Sequence, residues 1–148
     1  MGTRHDGPPR EVRALDTYIK LIRASNAVSQ RIHAHLRDHD LTLSQFGVLE
    51  ALDHLGPLAQ RDLCRKLLQS GGNMTLVVVN LEKRGLIRRE RPAENRRLVV
   101  VRLTPAGRRL IRRVFPRHAA IVADDLAVLS AAEQRELSRL LKKLGHGA

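Results

Sequence analysis

The sequence is poor in aromatic residues and almost free of cysteine. It has no tryptophan, and its aromatic residues are Tyr18, Phe46 and Phe115. That scarcity argues against a reader of single-stranded nucleic acid, which stacks bases on aromatic platforms. Cys64 is the one cysteine, so no disulfide can form within the chain, and the composition fits a reducing cytoplasm. No segment approaches the roughly 18 uninterrupted apolar residues of a membrane span, so no membrane partner is expected. The opening "MGTRHDGPPR" lacks the apolar core of an export signal and reads as a frayed, proline-containing arm. Catalytic fingerprints are also missing: there is no G-x-S-x-G, P-loop, dinucleotide fingerprint or H-E-x-x-H. Asp124 and Asp125 are adjacent on a helix and diverge, unlike an acid/base pair. Neither an enzyme nor a cofactor is expected.

What is abundant is positive charge. Against 15 Asp plus Glu stand 27 Lys plus Arg, a formal net charge of +12. Such a balance favours polyanions, because binding to phosphate releases condensed counterions. With so few aromatics, double-stranded DNA is the leading partner. At 148 residues the chain is most simply one domain, residues 1–148, large enough to bury a core.

Periodicity then divides the chain. Residues 11–39 carry Leu15, Ile19, Ile22 and Leu36 on one helical face without Pro or Gly, predicting one long helix. The same face bears a polar patch, Ser25, Asn26, Ser29 and His33. A capping box at Thr42 and Gln45 opens a second helix with Phe46, Leu49 and Leu52 inward, ending at Gly56-Pro57. A third, short helix from Gln60 to about Leu68 turns Leu63, Cys64 and Leu67 inward. Ser70 can cap a fourth, running to Arg84 before Gly85, with Met74, Val77, Val78 and Leu81 at core spacing. Two short helices joined by a glycine-containing turn form a helix-turn-helix.

Leu86–Arg91 and Leu98–Leu103 can pair as a β-hairpin about the turn Pro92-Ala93-Glu94-Asn95, with Arg96 and Arg97 at its tip. Thr104 and Pro105 suit the start of a helix reaching about Leu129 and kinked at Pro116. Ser130 and Glu133 form another capping box, opening a last helix with Leu137, Leu140, Leu141 and Leu144 on one side. The expected fold is mainly α with a small β-hairpin wing: a winged helix-turn-helix over residues 42–104. Helices at 11–39 and 105–145 flank it, and their apolar stripes exceed what so small a module covers, predicting a symmetric homodimer.

Over nearly its whole length the sequence resembles the MarR family of transcriptional regulators. The resemblance is carried by "LTLSQFGVLEAL", "LAQRDLCRKLLQSGGNMT", "NLEKRGLIRRERPAENRRLVVVRLTPAG" and "LSAAEQRELSRLLKKL". It implies a dimeric, sequence-specific regulator bound to a pseudo-palindromic operator, commonly a repressor released by a small phenolic or quinone-like effector. Two departures bear on sequence preference. Asn95 stands where the family commonly has an Asp before the tip arginine, and Val79 where relatives often carry a polar residue.

With Met74, Val77, Val78 and Leu81 inward, the fourth helix presents Gly72, Asn73, Thr75, Leu76, Val79 and Lys83 to the major groove. Asn73 and Thr75 are placed to read base edges, and Leu76 or Val79 to meet a thymine methyl. Ser70 and the first-turn amides suit a phosphate, and the glycines permit close backbone approach. Arg96 and Arg97 are expected at the adjacent minor groove. Plainer readings stand beside these: a glycine pair that only turns the chain, and a wing tip that is merely solvated. The rival function is a non-sequence-specific architectural DNA-binding protein.

For Ser25, Asn26, Ser29 and His33 the resemblance implies a pocket for a small aromatic effector. Hydrogen bonding across a dimer interface is the alternative. Cys64 is not expected to sense oxidants: the peroxide-sensing branch keeps its reactive cysteine in the first helix, where this chain has none. His35 and His39 stand four residues apart, but His54 and His118 are elsewhere, so surface histidines are expected and no metal site.

Overall fold

A computed structural model describes residues 2–67 and 71–146. Its elements in chain order are α1 (Pro9–His33), a 3₁₀ helix (Ala34–His39), α2 (Leu43–Leu55), β1 (Leu58–Ala59), α3 (Gln60–Leu67), α4 (Gly71–Lys83), β2 (Ile87–Glu90), β3 (Val100–Leu103), α5 (Pro105–Leu126) and α6 (Ala131–Leu144). Packing groups them into two units: Met1–Ala34 with Ala120–Ala148, and His35–Ala119.

The His35–Ala119 unit holds a continuous apolar cluster. Phe46, Val48, Leu49 and Leu52 enter it from α2, Leu63 from α3, and Met74, Val77, Val78 and Leu81 from α4. Leu86, Ile87, Val101 and Leu103 close one side, and Ile111 and Val114 of α5 another. Each such side chain contributes about 1.5–3 kcal/mol on full burial. The expected inward faces of α2 and α4 are therefore the observed ones. Local chemistry sets the helix ends. Thr42 Oγ1 accepts from Gln45 N (3.1 Å) while Gln45 Oε1 accepts from Thr42 N (3.0 Å), completing the capping box. Gly56 ends α2 at φ 77° with its N–H on Leu52 O. After α4, Gly85 (φ 71°) donates to Glu82 O and Leu86 donates to Leu81 O. This is a Schellman closure, and it needs a residue tolerant of positive φ.

The hairpin is part of a three-stranded antiparallel sheet in the order β1-β3-β2. Ile87 faces Leu103 and Glu90 faces Val100, while Leu58 faces Val101 and Ala59 faces Val100. Leu98 and Val99, expected within the second strand, precede it. Thr104 then joins three elements. Its N–H donates to Leu86 O (3.1 Å), its hydroxyl donates to Gly85 O (2.6 Å), and its oxygen accepts from Gly107 N (3.1 Å) at the start of α5. Gly107 is required there because a Cβ would collide with the carbonyl oxygen of Leu86.

In the other unit, Ser130 and Glu133 form the expected capping box of α6, at 3.2 and 2.9 Å. Gln134 Nε2 donates to Leu126 O and Leu129 O, terminating α5 at Leu126 with a turn to Leu129. Arg31 binds Asp125 with two bonds, 2.5 and 3.0 Å, and its guanidinium lowers the Asp125 pKa. The amino-terminal arm is tied rather than frayed: Thr3 N donates to Asp16 Oδ1 (2.6 Å) and His5 pairs with Glu11 (2.7 Å). Leu15, Tyr18 and Ile22 of α1 and Leu137, Leu140, Leu141 and Leu144 of α6 are exposed.

Three further expectations need correction. The first helix does not run to 39: it ends at His33 and tightens into the 3₁₀ helix, a common way to finish a helix. This turn buries His35 together with Leu36. The hairpin gains a third strand, β1, whose two residues are too few to show a period. His35 is not a surface histidine: it is 7% exposed, and its Nε2 lies 3.0 Å from His118 Nδ1. Phe46 packs on the His118 ring with centroids 4.3 Å apart. Burial is the main cause lowering the His35 pKa, followed by the charges of His118, Arg117 and His39, against Asp38.

Candidate nucleic-acid interface

The surface of α4 follows from its core. With Met74, Val77, Val78 and Leu81 buried, the exposed residues are Gly71, Gly72, Asn73, Thr75, Leu76, Asn80 and Lys83. Val79, expected on this face, is half-buried. Ser70 lies outside the described residues. A Cβ on Gly71 or Gly72 would meet nothing within 4 Å. The protein's own packing therefore does not demand glycine at either place, whereas close approach by another molecule would use it. Leu76 is 59% exposed, an uncompensated apolar side chain amid polar ones.

Thr75 is held from two sides. Its hydroxyl donates to Gly71 O (3.0 Å), and its oxygen accepts from Gln60 Nε2 (3.0 Å). Gln60 N also donates to Val99 O (2.8 Å), at the root of the wing. Residue-type patterns did not single out Gln60, because its significance depends on the third strand. Between α3, the start of α4 and the wing lies a cleft of about 410 Å³, whose lining includes Gln60, Arg61, Cys64, Thr75, Asn95 and Arg97. Cys64 is half-buried, touching the core on one side and bordering this cleft on the other.

The wing turn is closed by Asn95 N donating to Pro92 O (3.1 Å) and Leu98 N to Asn95 O (3.2 Å). Asn95 Oδ1 accepts from Arg97 N (3.2 Å), and Arg91 Nη1 donates to Arg96 O (3.0 Å). Asn95 thus orders the backbone beneath Arg97, a neutral bond in place of the charge-assisted one available to Asp. Arg96 and Arg97 are exposed and have no ion-pair partner among the described residues. The wing stem differs. Arg89 meets Glu82 at 3.0 Å, its backbone N–H also donating to that carboxylate and lowering its pKa, and Arg102 meets Glu90 at 3.4 Å. At the base, Arg108 and Arg112 share Asp53. Two stem arginines, Arg89 and Arg102, are thus paired with acids and two at the base share one carboxylate, whereas among the described residues Arg88 and the tip pair Arg96 and Arg97 have no ion-pair partner.

On α1, Ser25 and Asn26 are exposed and Ser29 and His33 half-buried, with burial lowering the His33 pKa. Among the described residues no cluster of three or more His, Cys, Asp and Glu could hold a metal, and no helix is long and apolar enough to cross a membrane.

Comparison with known proteins places these features in a family. Residues 39–98 match the MarR family model. The transcriptional regulator MhqR of Bacillus subtilis is 32% identical over 136 residues, covering 92% of this chain and 94% of MhqR. Among solved structures, Bordetella bronchiseptica BpsR, whose DNA binding is regulated by 6-hydroxynicotinic acid, is 29% identical with a TM-score of 0.78 over 84% of this chain and 89% of that one. MepR from S. aureus, solved in complex with DNA, is 25% identical with a TM-score of 0.79 over 88% of this chain and 98% of its own. The chain belongs to the MarR family of transcriptional regulators.

Proposed function

We propose that this chain is a homodimeric, sequence-specific double-stranded DNA-binding protein that represses transcription from a pseudo-palindromic operator. The observation that carries the reading is the two adjacent tip arginines, Arg96 and Arg97, exposed and without an ion-pair partner among the described residues, beside an exposed α4 surface. Asn73, Thr75, Leu76 and Val79 enter the major groove, with Gly72 allowing close approach and Lys83 at the far end. Ser70 and the first-turn amides of α4 take a phosphate. Arg96 and Arg97 reach the neighbouring minor groove, where narrow A·T tracts concentrate negative potential. The exposed leucines of α6 and apolar residues of α1 bury against a second copy, which sets two half-sites about one helical turn apart.

Release follows binding of a small phenolic or quinone-like effector at the polar patch Ser25, Asn26, Ser29 and His33 of α1. Its support is the patch itself and the aromatic acid that regulates BpsR.

Fluorescence anisotropy of tiled duplexes flanking the gene, at physiological salt with random competitor DNA, tests the proposal. One tile bound at least about 1000-fold more tightly than random duplex is the expected result. Equal, salt-labile binding to every tile would replace it with the architectural reading. The selected tile then serves to screen phenols and quinones for release.

A further inference from the structure

Thr75 has one hydroxyl proton, and the structure commits it inward to Gly71 O. One acceptor position on the same oxygen is filled by Gln60 Nε2. A hydroxyl that accepts a hydrogen bond becomes a better donor, so the Gln60 amide strengthens the bond to Gly71 and holds the proton inside. The exposed part of Thr75 is left with an acceptor lone pair and a methyl group. Gln60 is itself fixed by its backbone, whose N–H donates to Val99 O and extends the pairing of β1 with β3. The same residue therefore ties the wing root to the first turn of the reading helix.

We propose that Gln60 is a specificity-determining positioning residue: it sets Thr75 to present an acceptor and a methyl, not a donor, to the major groove. This rests on the operator-reading function proposed above. In that groove the exocyclic amino groups of adenine and cytosine are donors, whereas guanine offers two acceptors. Thr75 so held selects a base pair presenting adenine or cytosine to it and disfavours guanine. Gln60 does this without touching DNA.

The test is a set of operator duplexes carrying every single base-pair substitution, titrated by anisotropy with the wild-type dimer and with Gln60→Leu, Thr75→Val and the double variant. Gln60→Leu keeps the side-chain bulk and removes the amide; Thr75→Val removes the hydroxyl in nearly the same shape. For the wild type, one position per half-site should bind about 5- to 10-fold more weakly when guanine replaces the preferred base, within the range for a base-edge interaction. Gln60→Leu should compress that ratio below about 3-fold at that position alone, with random-duplex affinity and Tm unchanged. Thr75→Val should compress the ratio at the same position, and the double variant should compress it no further.

A Gln60→Leu variant that keeps every wild-type ratio would overturn the proposal, as would equal weakening on all duplexes. A Tm loss in Gln60→Leu with the guanine ratio intact in Thr75→Val would likewise assign Gln60 a purely structural role. If the wild type itself distinguished no duplex, the operator-reading function would fall along with it.

Discussion

The two packing units solve the problem of apolar burial in opposite ways. Residues 35–119 enclose their own core, with Phe46, Val48, Leu49, Leu63, Met74, Val78, Val101 and Ile111 at most 1% exposed. In α6 no residue is buried, and in α1 only Ile32 is. Yet α6 carries as regular a sequence signal as the core helices: a leucine stripe and, like α2, a complete capping box. Amphipathic spacing specifies which face of a helix wants a neighbour, but not whether the chain itself supplies one. The unit that carries the helix-turn-helix is therefore finished within one chain, while α1 and α6 keep apolar side chains exposed, which the proposed second copy would cover.

Substitutions can break this contrast. Phe46→Ala should have the largest effect, about 3–5 kcal/mol in urea unfolding, because it empties a closed core. Leu137→Ala, measured on monomer at high dilution, should cost under about 0.5 kcal/mol, since that side chain is already exposed. Similar losses at both positions would erase the difference between the units.

At the uncovered stripe, the expected effect is on assembly. Leu137→Asp with Leu141→Asp should convert dimer to monomer in analytical ultracentrifugation and weaken operator binding by about two orders of magnitude, because two linked half-sites become one. A variant that stayed dimeric with full affinity would place the interface elsewhere.

Charge within the self-sufficient unit should matter less. Arg96→Ala with Arg97→Ala should leave Tm unchanged and lower the slope of log K against log salt by about 0.9 for each phosphate that is no longer neutralised. Arg102→Ala, a stem residue paired with Glu90, should change the slope less. Reversed effects would mean that tip and stem had exchanged roles.

The smallest effect is on pH. The folded-state pKa of His35 lies below its ordinary value of 6.5, chiefly through burial. The unfolded chain therefore binds more protons as pH falls through that region. The contribution to stability is present above about 6.5 and is lost as pH drops through the folded value. Tm measured from pH 7.5 to 5 should fall, and His35→Leu should flatten the fall; an unchanged profile would mean that His35 is not its source.

Much of this was legible from local patterns. The capping pairs Thr42/Gln45 and Ser130/Glu133 act over three residues, and the inward spacing of Met74, Val77, Val78 and Leu81 repeats along one helix. Positive charge at Arg96 and Arg97 was legible for the same reason. What escaped depends on pairing between distant segments. The strand Leu58–Ala59 exists because Val100 and Val101 lie opposite it. His35 is buried because His118 reaches it across 83 residues of sequence. Gln60 acquires its place only once β1, the wing root and Thr75 are assembled. The end of α1 is a related case: its apolar and polar faces continue past His33, but burial of His35 and Leu36 follows the tighter 3₁₀ path.

Reading of an operator by α4 and the wing tip is tested most directly by hydroxyl-radical footprinting of the selected operator, with wild-type protein and with Arg96→Ala plus Arg97→Ala. Two protected half-sites about one helical turn apart are expected, each flanked by minor-groove protection that the arginine variant loses while the central protection remains. Uniform protection without half-sites, or flanking protection unchanged by the substitutions, would contradict that role for α4 and the wing.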